Sequence, residues 1–331
     1  VTLNPSIDYI VRLDKVNVGS VNRMESDDKF AGGKGINVSR VLKRLGIDNT
    51  ATGFIGGFTG KFITDTLENE AIATKFVQVS EDTRINVKIK ADAETEINGT
   101  GPTVSPEQLA ALKDILSGLL EKDTVVFAGS SNKNLGNVVY KELISLTRQT
   151  GAQVVCDFEG QTLIDSLEFQ PLLVKPNNHE LGDIFGVKLE KLDEIEKYAR
   201  EILAKGAQHV IISMAGDGAL LVTKDGAYFA KPIKGIVKNS VGAGDSMVAG
   251  FLAKTTAGYD YDTALIYASA CGTATAASRG IAKRATIDRV VTALYKKMGR
   301  EMPASIAEEI QLARQKEESR EGKSSWLADS E

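Results

Sequence analysis

Two periods of hydrophobic residues alternate along this chain. Short apolar runs rich in β-branched residues, such as VVFAG (125–129), AQVVCDF (152–158) and HVIISMAG (209–216), are typical of buried strands. Segments with helical spacing lie between such runs, for example 137–148 and 192–205. Because buried strands that alternate with helices form βαβ units, the pattern predicts an α/β domain with a mostly parallel sheet.

Polar residues stand where three of the predicted strands end. They are Asp157, Asn177 and Ser213. Since the carboxyl ends of parallel strands meet at one edge of a sheet, we expect these side chains to face one crevice.

Two segments depart from this pattern, YIVRLD (9–14) and RINVKIKADAETEING (84–99). In both, residues alternate by twos and charges collect on one face, which favours antiparallel strands with one open side. We predict that a small β-sheet from about 9–29 and 84–99 covers the crevice as a lid. The whole domain would span 1–300.

Composition narrows the classes of partner. The chain has 331 residues and a net charge of −4, without the basic excess that nucleic-acid binding requires. No apolar run approaches the ~20 residues of a membrane helix. Cys156 and Cys271 lie far apart in apolar segments, so a disulfide framework and a zinc site are both disfavoured. We expect a cytoplasmic protein with a charged C-terminal helix or tail over 301–331.

The stretch NSVGAGDS (239–246) precedes an apolar helical pattern. Backbone N–H groups of Gly242, Ala243 and Gly244 at a helix start would suit a phosphoryl group that gains negative charge. Asp245 behind them could cap the helix. It could equally accept a proton from an attacking hydroxyl group. The stretch alone leaves both interpretations open.

A second glycine cluster, AGGKGINVSRVLKRLG (31–46), also precedes a helical pattern. Gly32 and Gly33 would let an anion approach the N–H groups of the helix start, and Lys34 adds a positive charge. A simple turn with a surface lysine remains the alternative.

Two nucleotide-binding fingerprints fail on inspection. In GFIGGFTGKF (53–62), Ile55 stands where a Walker A motif needs glycine, and Phe62 stands where it needs serine or threonine. The first predicted strand, VTLNPSID, lacks the GxGxxG turn of dinucleotide-binding folds. A dinucleotide-dependent dehydrogenase is therefore disfavoured.

Together the glycine segments resemble the two signatures of the phosphofructokinase-B, ribokinase-like, family of carbohydrate kinases. The second signature fits NSVGAGDSMVAGFL (239–252), and the likeness covers roughly 1–298. It implies a three-layer α/β/α fold with a mostly parallel central sheet and a β lid. The first signature, GG-x-G-x-N-x-S with two later glycines, fits Gly32, Gly33, Gly35, Asn37, Ser39, Gly46 and Gly56.

Several short sequence motifs resemble those of one branch of this family. They are LNPSIDY (3–9), TRINVKIK (83–90), KPNNHEL (175–181) and SMAGDGAL (213–220). That branch uses ATP to convert fructose 1-phosphate to fructose 1,6-bisphosphate. Tagatose-6-phosphate kinases and 6-phosphofructokinases share many of these motifs, so their activities stay alternatives. A non-catalytic sugar-phosphate sensor is the alternative from another class, which the intact loop before Asp245 disfavours.

The resemblance implies roles for individual residues. Asp245 would be the general base, beside an anion hole formed by the N–H groups of Gly242, Ala243 and Gly244. Lys34 and Arg84 would hold the phosphate already on the sugar, because a dianion favours fixed cations. The residues implied on the sugar side are Asp8 (taken to end the first strand), Gly32, Gly33, Lys34, Asn37, Arg84, Lys88 and Ser130.

ATP and Mg²⁺ are the implied cofactors. Asn177 and Glu180 would bind Mg²⁺, although Glu180 could instead be an ordinary acid in the first turn of a helix. A homodimer through the lid is a further implication. The residues implied on the nucleotide side are Lys175, Asn177, Ser213, Gly216, Gly218 and Ser278.

Two segments depart from the family pattern. Residues 129–133 read GSSNK where the family usually has GSLPP, which puts the rigidity of this loop in doubt. Residues 157–161 read DFEGQ where the family has D-x-S-G-E, so only Asp157 is carried over from that motif.

Overall fold

The computed structural model describes residues 1–231, 233, 237, 238 and 240–328. Asn239, the first residue of the second signature, and positions 329–331 of the predicted tail lie outside the described residues. The strands are β1 Ser6–Arg12, β2 Ser26–Gly32, β3 Thr50–Ala51, β4 Phe54–Ile55, β5 Ala73–Thr74, β6 Val77–Gln78, β7 Arg84–Lys90, β8 Glu94–Asn98, β9 Thr124–Ala128, β10 Gln153–Asp157, β11 Leu173–Val174, β12 His209–Ser213, β13 Ala219–Thr223 and β14 Gly226–Ala230.

The helices alternate with strands along much of the chain. They are α1 Lys34–Arg44, α2 Gly57–Asn69, α3 Pro106–Ser117, α4 Val139–Gln149, α5 Gly160–Ser166, α6 Asn178–Phe185, α7 Leu192–Ala204, α8 Ala243–Thr255, α9 Tyr261–Ala276, α10 Arg284–Met298 and α11 Ala304–Ala328. Of the described helices, none is both long and apolar enough to cross a lipid bilayer.

The main sheet has six strands in the order β14-β13-β12-β11-β10-β9. Strands β9 to β12 are parallel to one another, and β13 and β14 run antiparallel at one edge. Successive residues of a strand face opposite sides. Val155 and Ile211 pack in a core with α1, α8, α9 and α10, whereas Val154 and Val210 pack on the other face with α3, α4 and α7. The predicted three-layer α/β/α arrangement is thereby confirmed.

The lid is a separate four-stranded sheet in the order β2-β1-β7-β8. The expected small sheet is present, but it is not wholly antiparallel, because its central pair β1 and β7 is parallel. The chain between these two strands passes through α1 and α2, and such a long crossover brings it back in the same direction. Asp8 lies within β1, opposite Asn86, and does not end the first strand as predicted.

The charged C-terminal segment begins as helix α11, which packs against the domain at its start. Ile306 and Ile310 are buried in the core formed with α8, α9 and α10. Glu309 between them forms ion pairs with Lys254 on α8 and Arg284 on α10. The first turns of this helix are therefore part of the folded body.

Candidate active site

A cavity of about 540 Å³ opens between the inner face of the lid and the carboxyl edge of the main sheet. Gly32 lies against Asp8, which lines the cavity, and a Cβ atom at Gly32 would come within 2.5 Å of the Asp8 carboxylate. Of the residues predicted from the sequence, those that line the cavity are Asp8, Gly33, Lys34, Asn37, Arg84, Lys88, Ser130, Asp157, Gly242 and Asp245. The fold thus brings most of the predicted sugar side together.

Asp245 lies in the first turn of α8 and does not cap it. The residue before the helix is Gly242, whose φ of 79° is a left-handed conformation that favours glycine. No side-chain cap of this helix occurs among the described residues. Instead, the Asp245 carboxylate accepts a hydrogen bond of 2.8 Å from Asn37 Nδ2. The capping interpretation is therefore wrong, and the carboxylate is left facing the cavity.

One of the three N–H groups of the predicted anion hole already has a hydrogen-bond partner. The N–H group of Ala243 donates to the carbonyl of Ser240 at 3.3 Å, within the turn itself. Lys175 supplies positive charge nearby, because a Cβ atom at Gly244 would lie 2.8 Å from its Nζ. A phosphoryl group at this helix start would meet both the helix dipole and an ammonium group.

Burial sets the proton affinity of Asp245. The side chain is 6% exposed, and loss of solvent together with the negative charge of Asp157 raises its pKa to about 6. The hydrogen bond from Asn37 and the charges of Lys34 and Lys175 oppose that rise. A carboxylate with a pKa near neutrality is a better proton acceptor than an ordinary aspartate, and it is still mostly ionised at pH 7.

Asp157 ends β10 and lies between two lysines. Its Oδ1 is 3.8 Å from Lys34 Nζ and 3.6 Å from Lys175 Nζ. Lys34 also donates to Glu159 at 3.2 Å. Burial alone would lower the pKa of Lys34, but the carboxylates of Asp157, Asp245 and Glu159 raise it, so the ammonium group stays charged. Sequence reasoning gave Asp157 little weight, although its place at a strand end was the available signal.

The lid holds a second polar cluster around Asp8. This carboxylate accepts hydrogen bonds from Ser6 Oγ at 3.0 Å and from Asn86 Nδ2 at 3.3 Å. Burial raises the pKa of Asp8, against the opposing charge of Lys88. The sequence analysis did not single out Asn86, although it lies on the same face of β7 as Arg84 and Lys88.

The two lid cations differ in their partners. Arg84 donates to the carbonyl groups of Asn4 at 3.1 Å and Gly99 at 3.2 Å, and it has no salt bridge within the described part of the chain. Lys88 pairs with Glu96 of β8 at 3.0 Å. Arg84 therefore faces the cavity with charge that no carboxylate neutralises by direct contact.

The nucleotide-side residues form a neighbouring group. Asn177 follows β11, Ser213 ends the adjacent β12, and a parallel β-bridge joins the two residues. The turn after Ser213 includes Gly216 and closes with a hydrogen bond of 3.0 Å from Met214 N–H to the carbonyl of Gly218.

Ser278 stands apart from this group. Its hydroxyl donates to the carbonyl of Ala274 at 2.8 Å, which ties it to the end of α9. The described contacts do not bring Ser278 to the other predicted ATP-binding residues, and none of these six nucleotide-side residues lines the 540 Å³ cavity.

Asn177 and Glu180 form a capping box at the start of α6. The Asn177 side chain accepts hydrogen bonds from the N–H groups of His179 and Glu180, and Glu180 Oε2 accepts one of 2.9 Å from Asn177 N–H. The alternative role of Glu180 as a first-turn helix acid is therefore realised. Within the described ranges, no group of three or more His, Cys, Asp or Glu residues is placed to hold a metal ion.

Three comparisons relate this chain to known proteins. It is 48% identical over 278 residues to the 1-phosphofructokinase of Bacillus subtilis (strain 168), which covers 84% of this chain and 92% of that protein. It is 36% identical over 292 residues to the D-tagatose-1-phosphate kinase of Bacillus licheniformis, which covers 88% and 96%. The crystal structure of phosphofructokinase-2 from Escherichia coli with substrates and products superposes with a TM-score of 0.84 at 25% identity, and covers 88% and 97%.

The structural likeness confirms the expected α/β architecture with a mostly parallel central sheet and a small β lid. The sequence profile described as "pfkB family carbohydrate kinase" matches residues 1–287, which include both glycine signatures and the site around Asp245. The chain therefore belongs to the pfkB family of carbohydrate kinases.

Proposed function

We propose that this kinase transfers the γ-phosphoryl group of ATP to the C6 hydroxyl of fructose 1-phosphate, giving fructose 1,6-bisphosphate and ADP. The observation that carries the proposal is the buried carboxylate of Asp245, which lies in the first turn of α8 and faces a cavity that Arg84 also lines. The likeness to a 1-phosphofructokinase over 84% of the chain supports the choice of substrate.

In this mechanism Asp245 removes the proton from the attacking hydroxyl. A new bond forms between the hydroxyl oxygen and the γ-phosphorus, and the bond from that phosphorus to the bridging oxygen of ADP breaks. Asn37 holds the carboxylate through its 2.8 Å hydrogen bond. The backbone of Gly242–Gly244 and the Lys175 ammonium group would stabilise the charge that develops on the transferred group.

The lid would recognise the phosphate that the sugar already carries. Arg84 offers donors in a planar fork that suits a phosphate group, and its contacts with carbonyl groups fix its orientation. Lys88 would exchange its Glu96 partner for the same phosphate. Asp8, held by Ser6 and Asn86, would accept hydrogen bonds from sugar hydroxyls. Lys34 would contact the phosphate of the sugar and the transferred phosphoryl group from the side of the cavity away from the lid.

The nucleotide would lie along the turn that follows Ser213, with Lys175 beside its phosphates. Mg²⁺ is commonly held by the phosphates of the substrate and only one or two carboxylates, so a site with few protein ligands, such as the one around Glu180, is compatible with this ion. Glu180 uses Oε2 in the capping box and would contribute its other oxygen, while Asn177 orients it. When bound, the ion neutralises part of the charge on the transferred phosphoryl group.

A homodimer through the lid is also proposed. The face of the lid opposite Asp8 carries apolar side chains, among them Ile85 and Ile97, which are 39% and 58% exposed. A second copy of the lid sheet would cover these residues. Analytical ultracentrifugation of the wild type and of Ile97→Asp tests this point, and a wild type that sediments as a monomer at micromolar concentration would contradict it.

Product analysis with a panel of ketose phosphates and Mg-ATP tests the proposed reaction. The panel contains fructose 1-phosphate, fructose 6-phosphate, tagatose 1-phosphate and tagatose 6-phosphate. We expect the highest kcat/KM with fructose 1-phosphate, and far slower product formation by the matched Asp245→Asn variant. A higher kcat/KM with either 6-phosphate would overturn the choice of substrate. Absence of turnover with all four would favour the sensor alternative.

A further inference from the structure

Asp157 connects the two halves of the site. Lys34 begins α1 and lines the sugar cavity, whereas Lys175 follows β11 and lies against the start of α8. The Oδ1 atom of Asp157 is the shared partner of both ammonium groups, at 3.8 and 3.6 Å. Without this carboxylate, the two ammonium groups would share no common partner at this distance, and Lys34 would be left with Glu159 and the charge of Asp245.

The other oxygen of Asp157 is also buried, and this carboxylate lines the cavity. The residue is only 2% exposed, and Oδ2 is buried with no hydrogen-bond partner in the described part of the chain. An unsatisfied buried carboxylate oxygen costs free energy. Such a cost at the edge of a cavity is typical of a functional group.

We propose that Asp157 is a positioning residue for phosphoryl transfer, which holds Lys34 and Lys175 on opposite sides of the start of α8. The two lysines then present fixed positive charge to the group that passes between donor and acceptor. This inference rests on the proposed role of Asp245 as the base.

The same carboxylate influences the proton acceptor. Four groups from neighbouring elements face Asp245, and two of them, Lys34 and Lys175, lower its pKa by their charge. Asn37 lowers it through its hydrogen bond, and Asp157 raises it. Removal of the Asp157 charge should therefore lower the pKa of Asp245, while removal of the Lys175 charge should raise it.

The test compares Asp157→Asn with a matched control, Asp288→Asn. Asp288 is 1% exposed, pairs with Arg284 at 2.7 Å, and also has a buried Oδ2 without a described partner, but it lies outside the cavity. In Asp157→Asn we expect kcat to fall ~10–100-fold because the lysines are misplaced, with KM for fructose 1-phosphate changed less than ~3-fold. Asp288→Asn should keep the wild-type kcat.

The pH dependence of kcat/KM gives a readout that a general loss of stability would not move. This profile reports the free enzyme, and its acid limb follows the ionisation of the base. The limb should move to lower pH in Asp157→Asn and stay in place in Asp288→Asn. If Asp157→Asn does not fold, Lys175→Gln serves instead, and its limb should move to higher pH.

Wild-type kcat and an unmoved acid limb in Asp157→Asn would overturn the inference. An equal fall of kcat in Asp288→Asn would also overturn it, because any replacement of a buried aspartate by asparagine would then lower kcat. A parallel Asp245→Asn variant separates the two proposals. If it retains wild-type turnover, the proposed base is wrong, and if it is inactive while Asp157→Asn is normal, only the positioning role fails.

Discussion

The two ends of helix α8 each bury a cluster of opposite charges, and of the two clusters the one at the start of the helix lines the 540 Å³ cavity. At its start, Asp245 and Asp157 lie near Lys34 and Lys175. At its end, Lys254 pairs with Glu309 of α11 and is only 3% exposed. Each cluster also contains a carboxylate with one buried oxygen that has no hydrogen-bond partner among the described residues, in Asp157 and in Asp288 respectively.

The clusters differ in how tightly their charges are matched. Lys254 contacts Glu309 directly and lies 4.0 Å from the centre of the Tyr267 ring. The lysines at the other end remain 3.6–3.8 Å from Asp157, longer than a hydrogen bond, and Lys34 lines the cavity. Buried charge alone therefore does not identify an active site. Loosely paired charge beside a cavity and a helix start does so better.

The largest effect on stability is expected at the closed end. In Glu309→Gln, Lys254 keeps its buried charge and loses its carboxylate, which should lower the free energy of unfolding by about 3 kcal/mol. Urea unfolding measures this value, and kcat should stay near that of the wild type. The control is Glu190→Gln, whose partner Lys188 is exposed and whose effect should be much smaller because solvent screens the pair. Equal effects in the two variants would remove the distinction between the clusters.

The open end should show the opposite response in Asp245→Asn. The folded-state pKa of Asp245 is raised to about 6 from an ordinary 3.8, so ionisation costs stability as the pH rises through that window. At pH 7 and above the cost is fully present, and the uncharged asparagine should raise the free energy of unfolding by about 1–3 kcal/mol. Urea unfolding at pH 7.5 measures the change. A destabilised variant would mean that the site is a structural cluster like its counterpart.

Removal of the lid cation should affect binding more than turnover. Arg84→Met keeps the apolar stem but loses the guanidinium group, so KM for fructose 1-phosphate should rise ~10–100-fold with a smaller change in kcat. Arg200→Met, which removes an arginine from an exposed ion pair on α7, is the control and should leave KM unchanged. An Arg84→Met variant with wild-type KM would place the substrate phosphate elsewhere.

The smallest expected effect is the change in kcat/KM of the wild type with pH near neutrality. Because Asp245 must be ionised to accept a proton, kcat/KM should fall about tenfold per unit of pH below its pKa of about 6, and should change little between 7 and 8. Steady-state rates across pH 5 to 8 check this limb. A profile that stays flat to pH 5 would argue against a raised pKa.

The local features of the site could be predicted from sequence, because they depend on neighbouring residues. The Gly242-to-Asp245 run predicted a helix start with an acid behind it, and the alternation in 84–99 predicted the lid strands. The capping box of Asn177 and Glu180 has a recognised spacing as well, an asparagine followed three residues later by glutamate.

The parts that escaped prediction depend on contacts between distant residues. The parallel pairing of β1 with β7 joins segments about 80 positions apart, and no local pattern specifies its direction. Asp157 gains its role only when the fold brings Lys34 and Lys175 to it from two other elements. Glu309 likewise looks like one more charge in a charged tail until Lys254 is found beneath it. The cytoplasmic location and the lid dimer stay predictions.

The most direct test of the account is the kcat of Asp245→Asn with fructose 1-phosphate and Mg-ATP, measured on protein whose fold and sugar-phosphate binding have been verified. Loss of the proton acceptor should lower kcat by ~10²–10⁴-fold while binding is retained. A folded variant that binds the sugar phosphate and turns over at a near wild-type rate would contradict the central claim that the open end of α8 is the catalytic one.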